Sequence, residues 1–368
     1  MSTRSTIIVF TVLFAAGVIL VVILPFVIGQ GPSSPAAGDR VRRGEAPVRG
    51  VFRSDDDGAT WQAQHWVEGG EGSVSGFSVN RLLTDPVDPA TLYLATDGNG
   101  LWVSKSRGEV WAPVSDSNGL LAPRSNVLAV ALNPANREEW YVASFQGERG
   151  RVLKSGDGGR SFYEVYFTPA ERFGVFDVAF DPGRGTVLIA TGQGGLLETV
   201  DRGRSWRVIR WFADGLLRVF IHPANPRLWF VASARGRLFK SEDRGVTWTD
   251  ITAAYGDRNG TQRDQHWLMD QFGTLYLGSR RGLLASRDLG ATFIEPPLII
   301  PPDVVPVLAI AVDPRDARRM AVSAASQLYL TEDGSASWQI RTAPGAGRIT
   351  HLLFDHGRRG TIYAVVQP

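Results

Sequence analysis

The sequence predicts an all-β fold: a seven-bladed β-propeller of four-stranded blades, closed by its own termini and preceded by one N-terminal transmembrane helix. Three observations carry this. A turn motif, Ser/Thr-x-Asp-x-Gly-x-Ser/Thr-aromatic, recurs along the chain. A second apolar repeat alternates with it. The two ends of the chain each hold half of one repeat unit.

The motif is clearest at Ser241-Glu242-Asp243-Arg244-Gly245-Val246-Thr247-Trp248. Other copies start at Ser54, Ser155, Thr199 and Ser286. Two are degenerate: Ser104 to Trp111 carries Ser106 in place of Asp, and Thr331 to Trp338 carries Ser335 in place of Gly. The starts lie 42 to 51 residues apart, a period that marks propellers and solenoids. Asp and hydroxyl side chains bind backbone N–H groups in tight turns, Gly supplies a left-handed conformation, and the aromatic buries its ring. Asp56, Asp157, Asp201, Asp243, Asp288 and Asp333 therefore read as structural latches rather than as calcium or substrate sites. No metal or cofactor is expected.

The second repeat is an apolar run, an Asp/Asn/His turn often followed by Pro, and another apolar run. Val175 to Pro182 followed by Val187-Leu188-Ile189-Ala190 is one example. Each unit becomes strand, turn, strand, loop, strand, motif turn, strand, which is one propeller blade. The chain opens with a third and fourth strand and ends with a first and second. Residues 347–366 and 50–67 together complete the seventh blade, which removes open sheet edges. Deleting the last ~20 residues is expected to unfold the ring of nearest-neighbour contacts.

The motif resembles the Asp-box, or BNR repeat, of sialidases, sortilin-type receptors, xyloglucan-cleaving glycosidases and the photosystem II stability/assembly factor. The last is most similar in architecture: a single seven-bladed propeller with basic residues at its channel mouth.

The remaining segments are read in order. Ile7 to Gly29 is almost wholly apolar and long enough to span a bilayer, so residues 1–29 read as an anchor, with a cleaved signal segment as the alternative. Residues 30–48, rich in Gly, Pro, Ser, Ala and Arg, read as a flexible linker. The propeller occupies residues 49–368. The arginines at 40, 42, 43 and 49 favour a cytoplasmic side for the chain downstream of the anchor. An N-terminal anchor before a large domain, and the families resembled, favour the periplasmic or extracytoplasmic side, which is the side expected.

Composition narrows the function. The formal net charge of +2 gives no global field toward nucleic acid. Absence of Cys removes disulfides and thiolate chemistry. No HExxH, GxSxG, phosphate-binding loop or dinucleotide fingerprint is present. None of the five His residues has metal-ligand spacing, and His222 reads as a turn residue.

Aligning the seven inner strands isolates one position: Arg81, Ala129, Asp177, Arg218, His266, Ala309 and His351. It is polar in five blades and lies near the start of each strand, so it forms a ring at one mouth of the central channel. Arg348, with Arg124, Arg172 and Arg263, widens a basic rim. Two readings are open: a site for an acidic peptide or another anionic group held by Arg, or a self-paired lining such as Asp177 with Arg218.

On these grounds the expected function is a membrane-anchored, non-enzymatic scaffold, assembly factor or accessory subunit of a membrane complex. The alternatives are a glycoside hydrolase and a glycan-binding or receptor-like propeller. A hydrolase would need two carboxylates, with Asp177 one member and Asp264 or Asp270 the other. The sialidase Arg-Ile-Pro is missing, and the xyloglucan-cleaving relatives place two propellers around a cleft.

Overall fold

In the computed structural model the described residues run from 49 to 368, except 71, 182–183, 257–259, 263, 299 and 301–303. The expected anchor at 1–29, the linker at 30–48 and Arg263 lie outside them. No helix among the described residues is long and apolar enough to cross a membrane.

Among the described residues seven sheets succeed one another along the chain, antiparallel except for one added edge strand. Their inner strands are Ser78–Thr84, Asn126–Leu132, Val175–Asp181, Leu216–His222, His266–Met269, Val307–Asp313 and Arg348–Phe354, defining blades 1 to 7. In blade 7, Gly50–Ser54 pairs antiparallel with Ile362–Gln367, with Gly50 opposite Val366. Two blades depart from four strands. Trp66–Val67 pairs in parallel with Val110–Pro113 and gives blade 1 a fifth strand. Blade 5 has three strands, its outer edge reduced to a bridge between Ala285 and Ile294.

The core is divided into seven hydrophobic clusters, one for each junction between neighbouring blades. This explains why the second strands are apolar on both faces. Successive side chains of a strand point in opposite directions. Val187 and Ile189 thus pack toward blade 2, while Leu188 and Ala190 pack toward blade 4.

The Asp-box geometry repeats with little variation. In the first copy the Asp56 carboxylate accepts the Thr60 amide at 2.8 Å and the Thr60 hydroxyl at 2.6 Å. Ser54 Oγ donates to the same carboxylate and accepts the Gly58 amide, both at 2.8 Å. These bonds hold Asp56 down at about 2, led by the Thr60 hydroxyl. Asp157, Asp201, Asp243, Asp288 and Asp333 repeat the pattern. All six sit in hairpin turns and serve the backbone.

On this Asp-box face, ion pairs tie neighbouring blades together. Arg107 reaches Asp355 at 3.0 Å, and Arg137 reaches Asp85 at 3.3 Å. Arg319 is buried between blades 6 and 7, where it bonds to Asp57 and to Asp313 and lies over the Phe354 ring.

Candidate functional site at the channel mouth

The inner strands all start on the face opposite the Asp-boxes. Antiparallel order places the ends of the second and fourth strands on that face too. The ring position therefore faces the mouth, bordered by the loops that enter each blade.

A feature of the backbone aims these side chains. Six inner strands carry a β-bulge immediately before the ring residue, at Asn80, Leu128, Phe176, Leu217, Leu308 and Thr350. A bulge adds one residue and re-aims the next side chain. Blade 5 has no bulge there, because its strand begins at His266.

Five ring residues come together electrostatically. Arg81 Nη2 lies 3.8 Å from Asp177 Oδ1, reaching past the Ala129 blade between them. Arg218 Nε lies 3.4 Å from Asp177 Oδ2. That same oxygen accepts the Val219 amide at 3.0 Å. Burial, and then the Arg218 charge, push Arg81 down to about 10. His266 and His351 both feel the two arginines, and loss of hydration inside the channel chiefly lowers both. For His351 the fall is to about 4. Its Nε2 contacts the Asn80 carbonyl at 2.9 Å and its Nδ1 the Thr350 hydroxyl at 3.0 Å. The reading of Asp177 as a partner of Arg218 is correct as far as it goes, but Asp177 serves two arginines at once.

The rim residues Arg348, Arg124 and Arg172 are exposed on this face and stand apart from the cluster's ion pairs. Asp264 is exposed two residues before His266, with φ at 54°, and its charge acts on that ring. Asp270 does not belong here. It is buried at the far end of the strand, where its Oδ1 accepts the Phe272 and Thr274 amides at 2.9 Å. His222 likewise caps its turn through the Ala224 and Asn225 amides.

Sequence reasoning missed an apolar arc beside the cluster. Leu128, Phe176 and Leu217 are the bulged residues of blades 2 to 4, and Leu217 is 36% exposed. Glycines make room for it: a Cβ on Gly192 would stand 2.8 Å from the Phe176 ring. Phe173 and Trp211, 39% and 55% exposed, lie on the same face. Nothing in the spacing of these residues marks them, because the bulge breaks the two-residue alternation.

Comparison with known proteins now adds to this geometry. Residues 238–251 match the family described as BNR-Asp box repeat. The turn at Ser241–Trp248 is an Asp-box. An oligoxyloglucan-reducing end-specific xyloglucanase of Emericella nidulans is 25% identical over 336 residues, covering 82% of this chain and 39% of that protein. The chain thus spans about two fifths of the length of that relative. Among solved structures, the GH74 xyloglucanase of Xanthomonas campestris superposes with a TM-score of 0.64 at 19% identity, covering 79% of this chain and 51% of that one. YCF48 from Cyanidioschyzon merolae superposes with a TM-score of 0.57 at 15% identity, covering 79% and 96%. At these identities the superpositions describe the fold.

The expectation of a non-enzymatic scaffold or complex subunit is corrected by these relatives, whose matches along most of the chain carry the names of glycosidases. Its weak point was the argument from missing motifs. Hydrolysis of a glycosidic bond draws on two carboxylates set by the fold, and these leave no contiguous signature in sequence.

Proposed function

We propose that this chain is a carbohydrate-active propeller of the glycoside hydrolase type, which holds a polysaccharide across its channel mouth. The observation that carries the reading is the relationship to the Emericella xyloglucanase over 82% of this chain. The mouth is consistent with it. Phe173 and Leu217 offer apolar surface to sugar rings, and charged and polar groups stand on the same face. Open faces that pair apolar walls with a few convergent polar groups are the usual form of ligand sites.

Roles are assigned from surroundings. Asp264, exposed at the mouth, is the carboxylate assigned to proton transfer. Asp177, engaged with two arginines and the Val219 amide, is assigned to positioning them. The finer architecture belongs to the same proposal: residues 7–29 tether the propeller to a membrane, the pairing of first and last strands latches the ring, and the propeller works on the extracytoplasmic side.

The test is hydrolysis. Full-length protein in mild detergent is incubated with xyloglucan oligosaccharides and new reducing ends are counted. Turnover that falls at least about a hundredfold in Asp264→Asn, in line with the loss of an acid–base group, supports the reading. Absence of both cleavage and binding contradicts it.

A further inference from the structure

The arginine cluster has more donors than its one carboxylate can use. Each guanidinium carries five N–H donors. Among the described residues, neither Arg81 nor Arg218 makes a hydrogen bond, and Arg218 Nε is buried without one. Asp177 stands 3.8 and 3.4 Å from them, at ion-pair rather than hydrogen-bond range, and one of its oxygens already serves the Val219 amide. Two positive charges thus face one negative charge.

The other polar groups at the mouth divide into satisfied and free. Asn80, Thr350 and His351 are tied together, with Asn80 Nδ2 on Asn126 at 2.7 Å and Thr350 Oγ1 on Gln367 at 2.7 Å. His266 is exposed to the channel and makes no hydrogen bond among the described residues. The free donors therefore come from blades 1, 4 and 5, on either side of Asp177.

We propose that Arg81, Arg218 and His266 form a carboxylate subsite, which selects saccharides bearing a uronic acid over neutral ones. This rests on the carbohydrate reading above. Paired guanidinium forks fit the two oxygens of a carboxylate, and such charge-assisted bonds are the strong ones. Within the trio of Arg81, Asp177 and Arg218 one positive charge is left uncompensated, which suits a monoanion. Phe176 and Leu217 stand next to Asp177 and Arg218 in sequence and supply an apolar wall for the sugar ring. Asp177 is a positioning residue: it holds the two guanidiniums near each other in the free protein and competes with the ligand for them.

That competition gives an unusual test. Full-length protein is titrated calorimetrically with trigalacturonate, with a neutral xyloglucan oligosaccharide and with sodium acetate. The wild type is expected to bind trigalacturonate about tenfold tighter than the neutral sugar. The preference should shrink in high salt, which screens partly exposed charge. Arg218→Gln and Arg81→Gln each remove the preference. Asp177→Asn strengthens uronate binding several-fold, because Asn keeps an acceptor for the Val219 amide but gives up the competing charge. Melting temperatures confirm that each variant is folded, and Asp177→Asn carries the test if an arginine variant is not.

Neutral sugar bound as tightly as uronate, or a preference unchanged in the folded arginine variants, overturns the subsite and leaves the carbohydrate reading standing. Acetate bound as tightly as trigalacturonate overturns it as a saccharide site. If no sugar binds, both readings fall.

Discussion

Arg218 lies 3.4 Å from Asp177 of the neighbouring blade, yet its Nε is buried and makes no hydrogen bond among the described residues. The pair is a contact of charges without the directional bond that usually accompanies it. The Asp177 oxygen facing Arg218 is turned to the Val219 amide instead. Asp177 is thus tied into the backbone of blade 4, whereas among the described residues no hydrogen bond holds either arginine.

The two sides of this pair should respond differently to truncation. Asp177→Ala strands a buried amide and leaves two guanidiniums facing each other, and is expected to cost about 1–3 kcal/mol. Arg218→Ala removes a side chain with no hydrogen bond and should cost less, although its contact with the Phe220 ring is lost. Urea unfolding of both variants checks the order.

Blade 6 carries a correctable flaw. In six Asp-boxes the fifth position is Gly, with φ between 78° and 89°, but Ser335 holds that position at φ 82°. Ser335 is buried, and its amide donates to Thr331 Oγ1 at 3.0 Å. A left-handed non-glycine residue is strained by about 1–2 kcal/mol, partly offset by the greater flexibility of unfolded Gly. Ser335→Gly should therefore raise stability by about 1 kcal/mol, measured as an increased melting temperature.

The junction between blades 6 and 7 depends on Arg319. Its guanidinium meets Asp313 at 2.8 Å, also bonds to Asp57, and is 1% exposed. Removing one partner of a buried pair leaves an uncompensated charge, so Arg319→Ala is expected to destabilise by about 3 kcal/mol. Arg315 also pairs with Asp313, at 3.1 Å, and sets the loss at the low end of the range for such pairs. Denaturant titration of the variant measures it.

Acid should weaken the fold in two windows. His351 and His65 have folded values below the ordinary 6.5, chiefly through burial, with His351 near 4. Their neutral forms suit the folded state, so stability is full above about 6.5 and falls as pH drops toward 4. The Asp-box carboxylates are lowered from 3.8 to about 2 by their hydroxyl and amide donors. Their contribution is present above about 4 and is lost as pH falls toward 2. His65 is buried against Trp66, and neither ring nitrogen is bonded among the described residues. His65→Phe should therefore narrow the stability gap between pH 7 and pH 5 and leave the lower window unchanged. Chemical denaturation at pH 7, 5 and 3 separates the two.

Much of this was legible in the sequence. The Asp-box spacing marks the seven turns, and aligned inner strands pick out Arg81, Asp177, Arg218, His266 and His351 as one ring. Four residues along a strand separate that ring from the turn residues, about 13 Å, so Asp270 was never a partner for Asp177. The bulges at Phe176 and Leu217 were hidden because they depend on pairing with the second strand. Arg319 was hidden for a related reason: its partner Asp57 is 262 residues away in sequence. The reading against an enzyme rested on contiguous motifs, whereas the two carboxylates that glycosidic hydrolysis draws on come from separate parts of a fold.

The most direct measurement of the central claim is where a glycan sits. Leu217 is exposed at the mouth beside Arg218, and Leu217→Glu places a charge on the proposed sugar surface without touching the blade junctions. Calorimetric titration of the full-length variant with a xyloglucan oligosaccharide should show at least a tenfold loss of affinity with an unchanged melting temperature. Binding equal to that of the wild type would contradict the placement of the carbohydrate site at the channel mouth.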